Sequence, residues 1–447
     1  MLSATTHAAW KASYKRFQFM KKTILYILFA FIGLTESQAQ NRDIKVTVNN
    51  PSDADRHNEP VAVKLKDVKK LTFDVKKAEV RDAASGKKVQ VQLDDMDGDR
   101  RTDEIFWLAD VKAGETKTYM LSLKGKDDAS GECDGEKNTN ADDGKWTYTA
   151  LQLRDKADKH PDVLKVEAPG KSNVFNDIYM HGMTVESDMV GYRIYFDHRQ
   201  NIDLYGKRKR RIELPVTQFY TTAEQLNEGY GVDVLWAGGA IGCGTLKNWT
   251  QGKPGNWTDV EVRGQRVVTS GALRTVVEMY DLGAADGNGG RFDMWQRYTL
   301  CAHHRDMLVE VTTRDAANKV LCTGVQKVGT AAADSVKRGH ESVGSVKEDG
   351  LAVSWGCDYP DMGKKNIWPP VAVGLAVWAP QKYVVGTEED ELNYLVKVKS
   401  DENGKLKYWL SFCAEIEDDG PKSGEEWIRE AEIWRHMLEN EVVIKIR

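Results

Sequence analysis

Apolar and polar residues alternate in short bursts along most of this chain. Ile44, Val46 and Val48 are separated by single polar residues, and Val61, Val63 and Leu65 are spaced the same way. The same period predicts strands at 105–109, 118–123, 192–197, 295–301, 307–313, 351–355, 393–399 and 407–413. A two-residue period puts one side of each strand against a core and leaves the other wet. Val371 to Trp378 is almost continuously apolar and predicts a strand buried on both faces. Turn-forming runs at 281–290 and 401–404 separate such segments. One helix stands out. Ser423-x-x-Glu426 is a capping box, and Trp427, Ala431, Trp434 and Leu438 then share a face, before Glu441 to Ile446 returns to strand. The fold class is therefore all-β with one C-terminal helix.

The N-terminal pattern differs. Met20-Lys21-Lys22 is followed by an apolar run from Ile24 to Leu34, then by small residues at Ser37 and Ala39. Basic, apolar and small, in that order, is a secretory signal, and the run is shorter than the ~20 residues of a spanning helix. Residues 1–39 are expected to be leader and signal peptide, and the mature protein periplasmic or secreted without a membrane anchor. Residues 125–145 are rich in Asp, Gly, Asn and Lys and nearly free of hydrophobes. This divides the mature chain into a β-sandwich module at 40–125, a polar linker at 126–145 and a larger domain at 146–447.

The net charge is −5. Loss of the leader makes it more negative, since five basic residues leave with only Glu36. Nucleic acid is excluded as a partner on this balance. The run Lys207 to Arg211 reads as a solvated hairpin. Six Cys lack the spacing of a zinc site and serve as disulfide partners or as small buried hydrophobes.

Four stretches could carry chemistry. Asp95, Asp97, Asp99 and Asp103 alternate in a turn-prone loop, the arrangement by which carboxylates converge on calcium; an acidic hairpin is the plainer reading. Calcium, in a structural role, is the cofactor this loop would take, and no other is required. On the strand at 192–197, Arg193, Tyr195 and Asp197 share the polar side, with His181 just before and Asp203, Tyr205 and Lys207 just after. Such a face suits a sugar or a carboxylate; cross-strand ion pairs are the alternative. The glycine-dense run 229–244 holds Asp233 and lacks any phosphate-loop pattern, so it reads as a bulged segment bordering a cleft. Finally, His303 and His304 precede Glu310; adjacent on a strand they point apart and cannot share a metal. The Trp249 and Trp257 neighbourhoods are candidate loop platforms for a sugar face.

Several of these stretches resemble an uncharacterised family of exported bacterial proteins, domain of unknown function 4861. They are Val48 to Asp53 with Asn58 to Val61, the 94–104 loop, Tyr192 to Tyr195, Ile202 to Lys207, and Gly231 to Gly244. The resemblance implies a setting beside polysaccharide-degrading enzymes, often pectin-type lyases and unsaturated-uronide hydrolases. It transfers no catalytic residues. The larger region also looks like the galactose-mutarotase-like β-supersandwich. The expectation is a carbohydrate-active enzyme acting on uronic-acid-containing oligosaccharides. As a lyase, Arg193 would neutralise the substrate carboxylate and Tyr195 or His181 would take a proton. As a hydrolase, two of Asp197, Asp233 and Glu310 would pair, and His303 is a further candidate base. A non-catalytic glycan-binding protein and a sugar epimerase or mutarotase are the alternatives.

Overall fold

The computed structural model describes residues 41–125, 144–157, 159–217, 219–287, 289–316, 319–329, 342–361 and 368–447. The expected signal peptide and most of the expected polar linker fall outside these residues. Seven strands come first: β1 (Asn41–Asn49), β2 (Arg56–Lys64), β3 (Lys77–Asp82), β4 (Lys88–Val89), β5 (Gln92–Asp94), β6 (Glu104–Val111) and β7 (Thr116–Lys124). They form two sheets around a core of Val46, Val48, Val61, Val63, Trp107, Tyr119 and Leu121. Alternation places these side chains inward, as the sequence predicts.

The second region begins with β8 (Thr147–Ala150) and β9 (Lys165–Pro169), then β10 (Gly182–Ser187), β11 (Val190–Tyr195), β12 (Ile202–Gly206) and β13 (Val232–Asp233). Then follow β14 (Lys247–Thr250), β15 (Lys253–Gly255), β16 (Val262–Ser270), β17 (Arg274–Ala285), β18 (Arg291–Cys301), β19 (Met307–Arg314) and β20 (Val320–Gln326). The last are β21 (Val343–Val346), β22 (Leu351–Asp358), β23 (Val371–Trp378), β24 (Val384–Glu389), β25 (Asn393–Lys399), β26 (Lys405–Ala414) and β27 (Val443–Ile446). A nine-stranded sheet runs β21-β22-β23-β26-β19-β18-β17-β16-β9, and two five-stranded sheets run β13-β12-β11-β10-β8 and β15-β14-β20-β25-β24. All strand pairs are antiparallel, and one continuous apolar core lies between these sheets.

A short helix, α1 (Ala223–Asn227), starts with a complete Thr222–Gln225 capping box. The main helix, α2 (Gly424–Glu439), is capped by Ser423 and lays Trp427 on Gly374 of β23, so the paired Trp residues serve packing as their spacing suggests. The strand after it does not rejoin the large domain. β27 pairs antiparallel with β1 and completes the edge of the N-terminal sheet. The modules are also bolted together by Arg274, whose guanidinium holds Asp94 at 2.6 Å and Glu104 at 2.7 Å.

Candidate functional site

The strand at 190–195 has its apolar side in the core, with Tyr192 and Ile194 buried, but its polar side is not wet. Residues 211–217 and 219–222 cover it. The expectation of a solvated face is corrected here, and the reason is chemical: every charge on this face finds a partner beneath that cover. Register brings Arg193 opposite Asp203, and Tyr205 opposite Asp233. Arg193 is fully buried, with Nη2 at 2.6 Å from Asp203 and 2.8 Å from Asp233. Nη1 donates to the Phe219 carbonyl at 2.6 Å, and the Phe219 ring lies 4.0 Å from the guanidinium carbon. The Tyr195 hydroxyl donates to Asp203 at 2.7 Å.

Two carboxyl groups thus crowd one guanidinium nitrogen. Burial, then the Asp203 charge, pushes Asp233 well above the usual carboxylate range against the pull of Arg193. Asp233 is thereby biased toward its neutral form. Burial, with the Asp203 charge, also raises Tyr195, which stays a phenol.

His181 sits beside this cluster in a left-handed backbone conformation, φ 59°. Its ring stacks on Phe175 at 3.8 Å and meets Phe219 edge-on at 5.0 Å. Nδ1 is 3.0 Å from the Phe175 carbonyl, which fixes the proton there and leaves the Nε2 lone pair available. Burial lowers the His181 pKa and Arg154 adds to this, outweighing the Phe175 carbonyl, so the ring is neutral at pH 7. Gly182 follows because a Cβ there would stand 1.9 Å from the Ile194 carbonyl oxygen.

Two hollows meet at Phe219. One, of about 810 Å³, is lined by Arg154, Lys156, His160 and Tyr179 among others; the second, of about 460 Å³, by Tyr220, Leu226 and Trp368. Each carries a stacked aromatic pair, His160 on Tyr179 at 3.7 Å and Tyr220 on Trp368 at 4.5 Å.

The structure thus brings together His181, Arg193, Tyr195 and Asp233. It sets the other candidates elsewhere. Asp197 lies past the end of β11, accepts from the Arg199 and Gln200 amides, and pairs with the Arg199 side chain at 2.7 Å. His303 lies in the turn after β18, its Nδ1 3.0 Å from Asp188. Glu310 stands on β19 in the cleft between modules. Asp203, Phe219, Tyr220 and Trp368 enter without having been assigned a role; for Asp203 the signal was its mirrored distance from the 196–201 turn, which sets it across from Arg193.

Asp95, Asp97 and Asp99 hold their carboxylate oxygens within 4.8 Å of one another. Asp95 accepts from the Gly98 and Arg100 amides at 2.7 Å each. Its slight burial raises the pKa, but these amides outweigh that and lower it. Asp103 instead accepts from the Met96 amide at 2.6 Å. Two smaller readings are corrected. Lys207 is no part of a solvated hairpin: it is buried, with Glu186 at 2.6 Å and two backbone carbonyls completing its shell. Trp257 is no platform: it is buried and donates to the Leu246 carbonyl at 2.9 Å. The five described Cys are buried free thiols, as small hydrophobes would be.

This is a multi-sheet antiparallel β-protein whose β13-β12-β11-β10-β8 sheet buries an Arg–Asp–Asp cluster under an aromatic cover. The chain belongs to the DUF4861 family, a domain of unknown function, whose model matches residues 48–444. No curated protein matches it. Among solved structures it is similar to an α-mannosidase from Enterococcus faecalis V583, at TM-score 0.41 and 9% identity over 91% of this chain and 46% of that one. It is also similar to a putative aldose 1-epimerase from Klebsiella pneumoniae, at TM-score 0.29 and 7% identity over 66% of this chain and 97% of that one. The chain thus spans about half the length of the mannosidase. No helix among the described residues is long and apolar enough to cross a membrane.

Proposed function

We propose that this protein binds an acidic, uronic-acid-containing oligosaccharide across the two hollows that meet at Phe219. The observation that carries this is the pair of aromatic stacks flanking Phe219, with the exposed cations Arg154 and Lys156 on one side. Aromatic faces take the apolar side of a pyranose, and a guanidinium takes its carboxylate. Arg193 cannot serve that second purpose: it has no exposed surface and is already neutralised. Its cluster is the rigid foundation that holds Phe219 in place.

Chemistry on the bound sugar is a second reading, favoured by the neutral His181 with its Nε2 lone pair behind Phe219. A lyase would use that nitrogen as base once the Phe219 ring swings aside. Calorimetric titration of the full chain with an oligogalacturonide and with a neutral cello-oligosaccharide tests both. The acidic chain binds and the neutral one binds at least about tenfold more weakly, with the difference shrinking in high salt. Phe219→Ala lowers affinity by about tenfold. Equal affinity for both sugars, or none for either, overturns the reading. Appearance of the conjugated unsaturated product in the same samples, lost in His181→Ala, selects the enzyme.

A further inference from the structure

The cleft between the N-terminal module and the nine-stranded sheet has a volume of about 750 Å³. That is within the ~300–1,000 Å³ of ordinary ligand sites. Its floor is a row of alternating charges read straight across five strands. Arg266 of β16 lies opposite Glu278 of β17, which lies opposite Arg297 of β18; Arg297 lies opposite Glu310 of β19, and Glu310 opposite Lys407 of β26. The first part of the row is self-satisfied, with Glu278 at 2.7 Å from Arg266 and 3.1 Å from Arg297. Lys407 turns to Glu441 at 2.5 Å. Glu310 is left exposed, with no hydrogen bond or ion pair to any described residue.

Beside this row, two residues along β18, stands Trp295. It is half-buried on the same side of the sheet and lines the cleft. The opposite wall comes from the N-terminal module and presents the exposed Lys64 and Lys66, likewise without partners among the described residues. The two walls are fixed. Arg274 clamps Asp94 and Glu104, and the Thr269 hydroxyl donates to Asp94 at 2.7 Å. A rigid cleft with an indole face, an unpaired carboxylate and unpaired ammonium groups is preorganised for a ligand with an apolar face, hydroxyl donors and a negative charge.

We infer that this cleft is a second glycan-binding site. An acidic sugar unit stacks on Trp295, donates a hydroxyl to Glu310 and sets its carboxylate toward Lys64 and Lys66. The inference stands apart from the reading of the Phe219 hollows and is separable from it. Titrate the full chain with an oligogalacturonide, comparing wild type, Trp295→Ala, Glu310→Gln and Phe219→Ala. Trp295→Ala is expected to weaken binding at this site by about tenfold and Glu310→Gln by about threefold. Glu310 is on the surface, so its variant folds, and Trp295→Phe restores binding in part if the Ala variant is unstable. Unchanged titration curves for both the Trp295 and Glu310 variants overturn the inference. Loss in these variants with none in Phe219→Ala supports it while overturning the other site. Loss only in Phe219→Ala does the reverse.

Discussion

Arg193 shows how a single side chain can look functional in sequence and be structural in space. Its charge faces two buried carboxyl groups, of which Asp233 is pushed toward its neutral form. Removing the cation and removing one acid are then very different acts. Arg193→Met strands the two buried carboxyl groups beneath Phe219 without a cation and costs about 3–5 kcal/mol of stability. Asp233→Asn replaces an acid that burial already pushes toward its neutral form with an amide of the same shape and costs roughly 1 kcal/mol or less. Urea denaturation of the two variants checks this ordering; equal losses would mean that Asp233 is ionised. Alternation placed Arg193 and Tyr195 on one face in sequence, while Asp233 came from the glycine-dense run after them. Alternation could not show that residues 211–217 and 219–222 lie over them. That cover is held by long-range bonds such as Glu213 to Tyr205 and to the Gly231 amide, at 3.0 and 2.8 Å, which leave no local pattern.

Between elements, two clasps join the helix and the β18–β19 turn to the N-terminal module. Arg56 is buried and sends Nη2 to the Met437 and Asn440 carbonyls at 2.6 Å each, satisfying the C-terminal end of α2. His304 lies between Asp306, 2.9 Å from Nδ1, and the Asn58 carbonyl, 2.9 Å from Nε2. Two acceptors demand two donors, so this imidazole is protonated. Burial alone would lower its pKa, but the Asp306 hydrogen bond and charge, with the Asn58 carbonyl, raise it to about 9. The folded value is above the ordinary value of about 6.5. The clasp therefore contributes stability in full below about pH 6.5 and loses it as pH rises through about 9. The urea midpoint of His304→Gln should fall well short of wild type at about pH 6 and draw level by about pH 10. A gap that does not change with pH would show a neutral ring. The Ser423 cap and Trp face of α2 were readable from local spacing; the contact of Asp306 with Trp434, which ties the clasp to that helix, was not.

For the molecule as a whole, the sequence was most informative where structure is local. The strands at 41–49, 104–111, 116–124, 291–301, 371–378 and 405–414 follow directly from alternation or from an unbroken apolar run. Short strands such as β4, β13 and β15 escaped because two or three residues carry no period. The order of strands within sheets was also out of reach, because β22 and β23 join β26 and β19 through contacts distant in sequence. Deleting residues 441–447 should open the N-terminal module while leaving the larger core folded. Limited proteolysis would then cut within residues 41–125, whereas uniform resistance would show that β27 is dispensable.

That pairing of β27 with β1 joins segments about 400 residues apart, a loop whose closure entropy is high. On the ribosome β1 emerges about 400 residues ahead of the strand that completes its edge. The N-terminal sheet is then completed only after the larger domain between β1 and β27 has been made.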